Sequence, residues 1–260
     1  AGAYDYMDAV SGHHYDWDKD GFDETKYISV ASSLKQLMSE YGEPKPIWIT
    51  ETGVSTQNGG APKDEQPGAL AMIYAMMTAY DLSDKIMYYC LYDRADDSYV
   101  EASWGVLNCW RRGYTSFPEA NRTPNSAKPG YLGVAAMNSF VGGTAEFEKV
   151  LEKDRLYALK FHNNSLDKDV MMALGGNSGI ISYNLGCKNV LVYDTYGNET
   201  ARLTSDTGIY TINVQQNPIY LIGDFTTFEI ADYAESIVKS EETEKSTVVG
   251  DDVEFIYTKN

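Results

Sequence analysis

The sequence predicts an α/β region followed by an all-β region, and a change of apolar period along the chain predicts it. Over residues 1–142, near-continuous apolar runs of strand length alternate with segments whose apolar residues recur at helical spacing. Past Gly142-Gly143 both give way to short apolar runs separated by turn residues. A composition of 43% hydrophobic and 23% charged residues is that of a folded chain and excludes a disordered polymer.

Residues 6–15, YMDAVSGHHY, form a short β-like stretch ending in polar aromatics, followed by the acidic loop DWDKDGFDE. Tyr27, Val30, Leu34, Leu37, Met38 and Tyr41 then mark an amphipathic helix, which Gly42 and Pro44 stop. The run PIWIT at 46–50 reads as a strand buried on both faces of a parallel sheet. After a Gly-rich loop, Leu70, Ile73, Tyr74, Met77 and Tyr80 mark a second helix, and IMYYCLY at 86–92 a third buried strand. A long polar loop leads to a helix near 128–140, with Pro129 in its first turn. The order βαβαβα belongs to a parallel sheet.

The second region reads FEKVLE, RLYALKF, VMMALG, GIISYN, NVLVYD, ARLT, IYTINV and PIYLIG, with turn signals such as Asn163-Asn164 and Gly175-Gly176 between them. Strands at this spacing predict an antiparallel β-sandwich. From about 226 the chain turns acidic and Ser/Thr/Glu-rich, as a linker does, with VEFIYTK the start of a further module. The expected organisation is 1–142 α/β, 143–225 sandwich and 226–260 linker.

Three βα units cannot close a barrel, which takes about eight strands. Alone they would leave hydrophobic strands with unpaired edges. The α/β region is therefore expected to be the last three βα units of a TIM barrel, in a chain that is the C-terminal part of a longer protein. The start at Ala1, with no basic-plus-apolar leader, agrees with that expectation.

A formal charge of −17 argues against nucleic acid as partner, since phosphates want basic patches. No apolar run approaches the roughly 20 residues of a membrane span. Tyrosine is abundant, at 21 residues against 8 Phe and 4 Trp, which suits both sugar stacking and sheet edges. Cys90, Cys109 and Cys187 are too few and too scattered for a disulfide framework or a zinc site. Nothing resembles a phosphate loop or a dinucleotide fingerprint, and no cofactor is expected.

The segment IWITETG carries the sharpest chemical signal. Its strand ends in Thr50-Glu51-Thr52-Gly53, placing a carboxylate at the C-terminal mouth of a parallel strand, where α/β barrels keep their catalysts. A helix-capping or salt-bridged carboxylate is the plainer reading, and the neighbouring strands weigh against it. The preceding one ends Ser11-Gly12-His13-His14-Tyr15, with Ser11, His13 and Tyr15 on one side by the period of two. The following one ends Tyr92-Asp93-Arg94, then Asp96-Asp97, Glu101 and Trp104. Three consecutive strands thus deliver polar aromatics or carboxylates to one end.

The order DAVSGHHY, PIWITETG, YYCLYDRADD…EASWGVLN and KPGYLGVAAMNSFVGG resembles strands six, seven and eight and the last helix of a clan A retaining glycoside hydrolase. Within the clan it is most similar to the β-xylosidase-like family 39. The stretch NVLVYDTYGNE with GIYTINVQQNPIYLIG is similar to the final strands of the sandwich such enzymes carry. The resemblance implies Glu51 as catalytic nucleophile, with His13 and Tyr15 around it and the bound sugar. It places Tyr92, Asp93 and Trp104 at the substrate, with Trp17 of the acidic loop on the same wall. It implies a covalent glycosyl-enzyme intermediate, an oligo- or polysaccharide partner and a secreted or cell-surface location.

Retaining hydrolysis also needs a second carboxyl group about 5 Å away as acid/base. In this clan it is the Glu of an Asn-Glu pair after strand four. The pair found here, Asn198-Glu199, lies in the sandwich. Asp16, Asp93 and Glu101 are physical substitutes, but the expectation is that the acid/base lies upstream, in the N-terminal half of the barrel, and that this chain alone is inactive. Asp16, Asp18 and Asp20, followed by Gly21, reproduce the first half of a calcium loop, but its twelfth position is Tyr27. A solvated loop leading into a helix, with Asp23 as cap, is the default. Two rivals remain: a non-catalytic carbohydrate-binding or scaffold protein on a degenerate barrel, and a barrel enzyme using Glu51 as general base or metal ligand.

Overall fold

The computed structural model describes residues 2–15, 23–56, 63–93, 103–108 and 126–231. The chain divides into two compact units between Val134 and Ala135.

The first unit opens with a 3-10 turn at Tyr4–Tyr6, then runs β1 (Val10–His13), α1 (Glu24–Ser39), β2 (Ile47–Thr52), α2 (Gln66–Ala79) and β3 (Lys85–Tyr88). A third helix, α3 (Pro129–Val141), starts in this unit, and the boundary falls inside it. The strands lie in sequence order and both pairings are parallel. Helix α1 begins where the Asp23 carboxylate accepts the Thr25 backbone N–H at 3.0 Å, the cap its sequence predicts. Helix α2 is apolar nearly all round, which suits a helix buried on most of its circumference. One sheet face meets the helices: Ile47 and Ile49 pack with Tyr27, Ala31 and Met38 of α1 and Ile73 and Met77 of α2.

The other face corrects an expectation. PIWIT and IMYYCLY read as strands buried on both sides, yet Trp48 is 36% and Met87 45% exposed. Among the described residues the helices cover one face, so β2 and β3 alternate between buried and exposed positions. On the open face the Lys85 ammonium sits 4.3 Å from the Trp48 ring centroid.

The second unit is antiparallel throughout. Strands β4 (Ala145–Lys153), β5 (Leu156–Asn163), β6 (Lys168–Gly175), β8 (Asn189–Tyr193), β9 (Glu199–Thr204) and β11 (Ile219–Gly223) form a six-stranded sheet in the order β4-β5-β6-β11-β8-β9. Strands β7 (Gly179–Asn184), β10 (Ile209–Val214) and β12 (Glu229–Ile230) form a second sheet in the order β10-β7-β12. Between them Ala158, Met171, Tyr183, Val192, Tyr210, Ile212 and Leu221 make one core. Because β12 pairs with β7, the sheet continues past residue 225, where the sequence suggests a linker begins.

The β4–β5 hairpin turns through Asp154 and Arg155, both at positive φ, the two-residue turn that matches strand twist. The end of α3 packs on the outer face of the six-stranded sheet. Phe140 lies 5.0 Å from the Tyr193 ring and 4.8 Å from Tyr220. The Asn163 amide donates to the Ser139 and Phe140 carbonyls, satisfying orphan acceptors of the last helical turn. No helix among the described residues is long and apolar enough to cross a membrane.

Candidate active site

Simple alternation along β2 would put Glu51 on the helix side with Ile47 and Ile49. Both ladders shift register near this point, between Gly12 and His13 toward β1 and between Ile49 and Thr52 toward β3. An irregularity of this kind re-aims a side chain at a strand end. Thr52, fully buried, takes the helix side, and its hydroxyl lies 3.5 Å from that of Tyr27 in the core. Glu51 turns instead toward the face that carries His13 and Tyr15.

There two groups converge on one oxygen. The Tyr15 hydroxyl donates to Glu51 Oε2 at 3.0 Å, and His13 Nδ1 lies 3.2 Å from the same atom. The Glu51 side chain is 39% exposed. Among the described residues its other oxygen, Oε1, receives no hydrogen bond. One oxygen is thus held while the second keeps its lone pairs open. Burial, and then the bond to the neighbouring Glu51 carboxylate, push the Tyr15 phenol far above its ordinary range. It therefore stays a protonated donor across neutral pH.

Trp104 backs this arrangement. Its ring meets Tyr15 edge-on with centroids 4.8 Å apart, and Tyr89 meets Tyr15 the same way at 6.4 Å. Trp104 is only 4% exposed, so it stands behind Tyr15 as a wall and offers no open face to a sugar. Gly53, next after Thr52, lets the segments close up: a Cβ there would collide with the Tyr89 carbonyl oxygen and touch the Trp104 ring.

Asp93 departs from its expected place at the substrate. It is 4% exposed, and its Oδ1 accepts from Lys128 Nζ at 3.0 Å and from the Gly105 backbone N–H at 2.9 Å. Its carboxylate is engaged inside the protein because an ammonium from the start of α3 reaches it there. Tyr92 is 39% exposed and pairs by backbone with Leu107, with no described contact to Glu51. Trp17, the calcium candidates Asp16, Asp18 and Asp20, and the substitute acid Glu101 lie outside the described residues. Cys187 is a free thiol, and Cys90 Sγ donates to the Tyr92 carbonyl at 3.1 Å.

The structure adds Tyr89 and Lys128. Tyr89 continues the alternation Lys85, Met87 on β3's open face, a signal present in the sequence. Lys128 carries none: a lysine before a helix-starting proline reads as a solvated charge.

Residues 4–112 match the profile of a family described as glycosyl hydrolase catalytic core. No curated protein matches the sequence. Among solved structures, the chain is similar to a GH30 endoxylanase from Clostridium papyrosolvens C71, with TM-score 0.51 and 14% identity over 86% of this chain and 50% of that one. It is similar to a glycoside hydrolase family 30 subfamily 8 xylanase from Clostridium acetobutylicum, with TM-score 0.52 and 13% identity, covering 85% of this chain and 49% of the other. A bifunctional glucanase-xylanase from a metagenome library gives TM-score 0.52 and 13% identity over 85% and 44%. The chain spans about half the length of these structures. At such identities the likeness is one of fold: parallel βα units of a partial barrel followed by antiparallel sheets.

Proposed function

We propose that this chain supplies the nucleophile side of a retaining β-glycoside hydrolase acting on a β-linked glycan. One observation carries the reading: a strand-end carboxylate with one oxygen held by His13 and Tyr15 and the other free. In this reading Oε1 of Glu51 attacks the anomeric carbon, the glycosidic bond breaks, and a glycosyl-enzyme ester forms that water later hydrolyses. The Tyr15 hydroxyl and His13 Nδ1 orient the carboxylate before attack. Tyr92 lies at the exposed rim of the same strand ends.

The acid/base belongs to βα units outside this sequence, which would also cover the open sheet face of Trp48 and Met87. The match to a glycosyl hydrolase catalytic core over residues 4–112 supports the class of activity. The motifs resemble family 39, whereas the similar folds carry family 30 names, so the proposal is made for the clan. A secreted or cell-surface location follows from the substrate class.

The test is azide rescue in the full-length protein. Glu51→Gly is expected to lose turnover of dinitrophenyl β-glycosides by about a thousandfold or more. Azide should fill the space left by the carboxylate and yield the α-glycosyl azide. A folded wild type that binds glycan but turns over none of these substrates would favour the binding-protein reading. Rescue giving the β-azide would exclude Glu51 as nucleophile.

A further inference from the structure

We propose that Asp93 and Lys128 are a positioning pair for the Glu51 site: they pin the residues on both sides of Trp104, fixing the indole that backs Tyr15 and so the phenol that bonds Glu51. The proposal rests on the hydrolase reading only for the meaning of Glu51; the mechanical claim stands on the contacts themselves.

The contacts form one continuous path. Asp93 Oδ1 accepts the backbone N–H of Gly105 at 2.9 Å. Lys128 Nζ donates to that same Oδ1 at 3.0 Å and to the carbonyl of Ser103 at 3.3 Å. Ser103 and Gly105 are the two neighbours of Trp104, so one ion pair holds the backbone before and after the indole. Backbone bonds brace the same segment: Cys90 N–H to Trp104 O at 3.3 Å, Asp93 N–H to Leu107 O at 2.9 Å, and Lys128 N–H to Val106 O at 2.9 Å. The end of the third strand, the 103–108 segment and the residues before α3 thereby close around Trp104.

Stability alone is a weak reason for such a pair. Both side chains are almost wholly buried, at 1% and 2% exposure. Taking two charges out of water offsets most of their attraction, and apolar residues of the same volume often serve stability equally well. Apolar residues could not bond a carbonyl and an N–H two residues apart. What the ion pair adds is a fixed path for the backbone on either side of the indole. From there the path is short: Trp104 meets Tyr15 at 4.8 Å, and Tyr15 donates to Glu51 at 3.0 Å.

The test reads Tyr15 directly. Tyrosines labelled at Cζ are followed by carbon NMR over the alkaline range in which the full-length protein stays folded, as circular dichroism at each pH shows, with Tyr15→Phe assigning the resonance. Among the described residues, the groups around this phenol include Glu51 of β2 with its partner His13, Tyr89 and Cys90 at the end of β3, and the Trp104 ring. Asp93→Asn alone removes the carboxylate from a buried ammonium and is expected to destabilise the fold, so the main variant is the double substitution Asp93→Asn with Lys128→Met, which removes both charges together. With the indole released and water admitted, Tyr15 is expected to ionise about one pH unit or more below wild type. Trapping of Glu51 by dinitrophenyl deoxyfluoro-β-glucoside or -xyloside should slow about tenfold or more. A folded double variant whose Tyr15 titrates as in wild type would overturn the proposal and leave the pair a structural brace. A wild type that takes no label would count against the hydrolase reading, and the NMR shift would still decide the positioning claim.

Discussion

A single substitution separates the two jobs of Tyr15, because its ring packs on Trp104 while its hydroxyl bonds Glu51. Tyr15→Phe keeps the packing and removes the donor. Folding stability should change by no more than about 1 kcal/mol, whereas the rate of glycosyl-enzyme formation should fall about tenfold to a hundredfold. Denaturant melts beside trapping kinetics measure both, and equal losses in the two would mean the hydroxyl serves the fold. The buried ion pair behaves differently. Lys128→Met alone takes the ammonium away from the buried Asp93 carboxylate and should cost about 3–5 kcal/mol, much of it recovered when Asp93→Asn is added; urea unfolding of the single and double variants checks this. At this scale the sequence was partly legible. Glu51 at a strand mouth, with His13 and Tyr15 one strand away, could be read from parallel-strand order. The fate of Asp93 could not, because its partner Lys128 lies 35 positions further on and only the folded loop brings them together.

Elements explain why Glu51 reaches the site at all. Strand alternation predicts a buried helix-side position for it, and the two register shifts beside it overturn that prediction. Such an irregularity leaves little trace in an apolar run, so it was invisible beforehand, although Gly53 just after it hints at close backbone approach. Gly53→Ala tests the packing that holds the strand ends together. Its added methyl group must displace the Tyr89 carbonyl and press on Trp104, and overpacking of this kind costs about 1–3 kcal/mol. A thermal melt indistinguishable from wild type would show that these segments are looser than described. Helices α1 and α2 and the strands of the sandwich were legible because their apolar periods of 3.6 and 2 coincide with the faces they bury. The two-sided burial expected of β2 and β3 is not met among the described residues, where the helices line one face of the sheet.

For the whole molecule, the β-sandwich makes a pH prediction of its own. Burial pushes the phenols of Tyr183 and Tyr210 well above their ordinary range. A raised folded-state value means the fold holds these protons more tightly than the unfolded chain does. Their contribution to stability is complete below the unfolded phenol value of about 10 and is lost as pH rises toward the folded values. Stability should therefore fall steeply on the alkaline side. Tyr183, whose hydroxyl has no hydrogen-bond partner among the described residues, offers the control. Tyr183→Phe should leave neutral-pH stability within about 1 kcal/mol and flatten the alkaline loss, as followed by circular dichroism in urea at a series of pH values.

The central claim concerns Glu51, and intact mass tests it most directly. The full-length protein is incubated with dinitrophenyl deoxyfluoro-β-glycosides, whose leaving group departs without a proton, so trapping depends on the nucleophile and little on the acid. Wild type should gain the mass of one fluorosugar, mapping to the peptide that contains Glu51, while Glu51→Gln gains none. A folded wild type left unlabelled by every sugar tried, or an adduct on another carboxylate, would contradict the assignment of Glu51 as nucleophile.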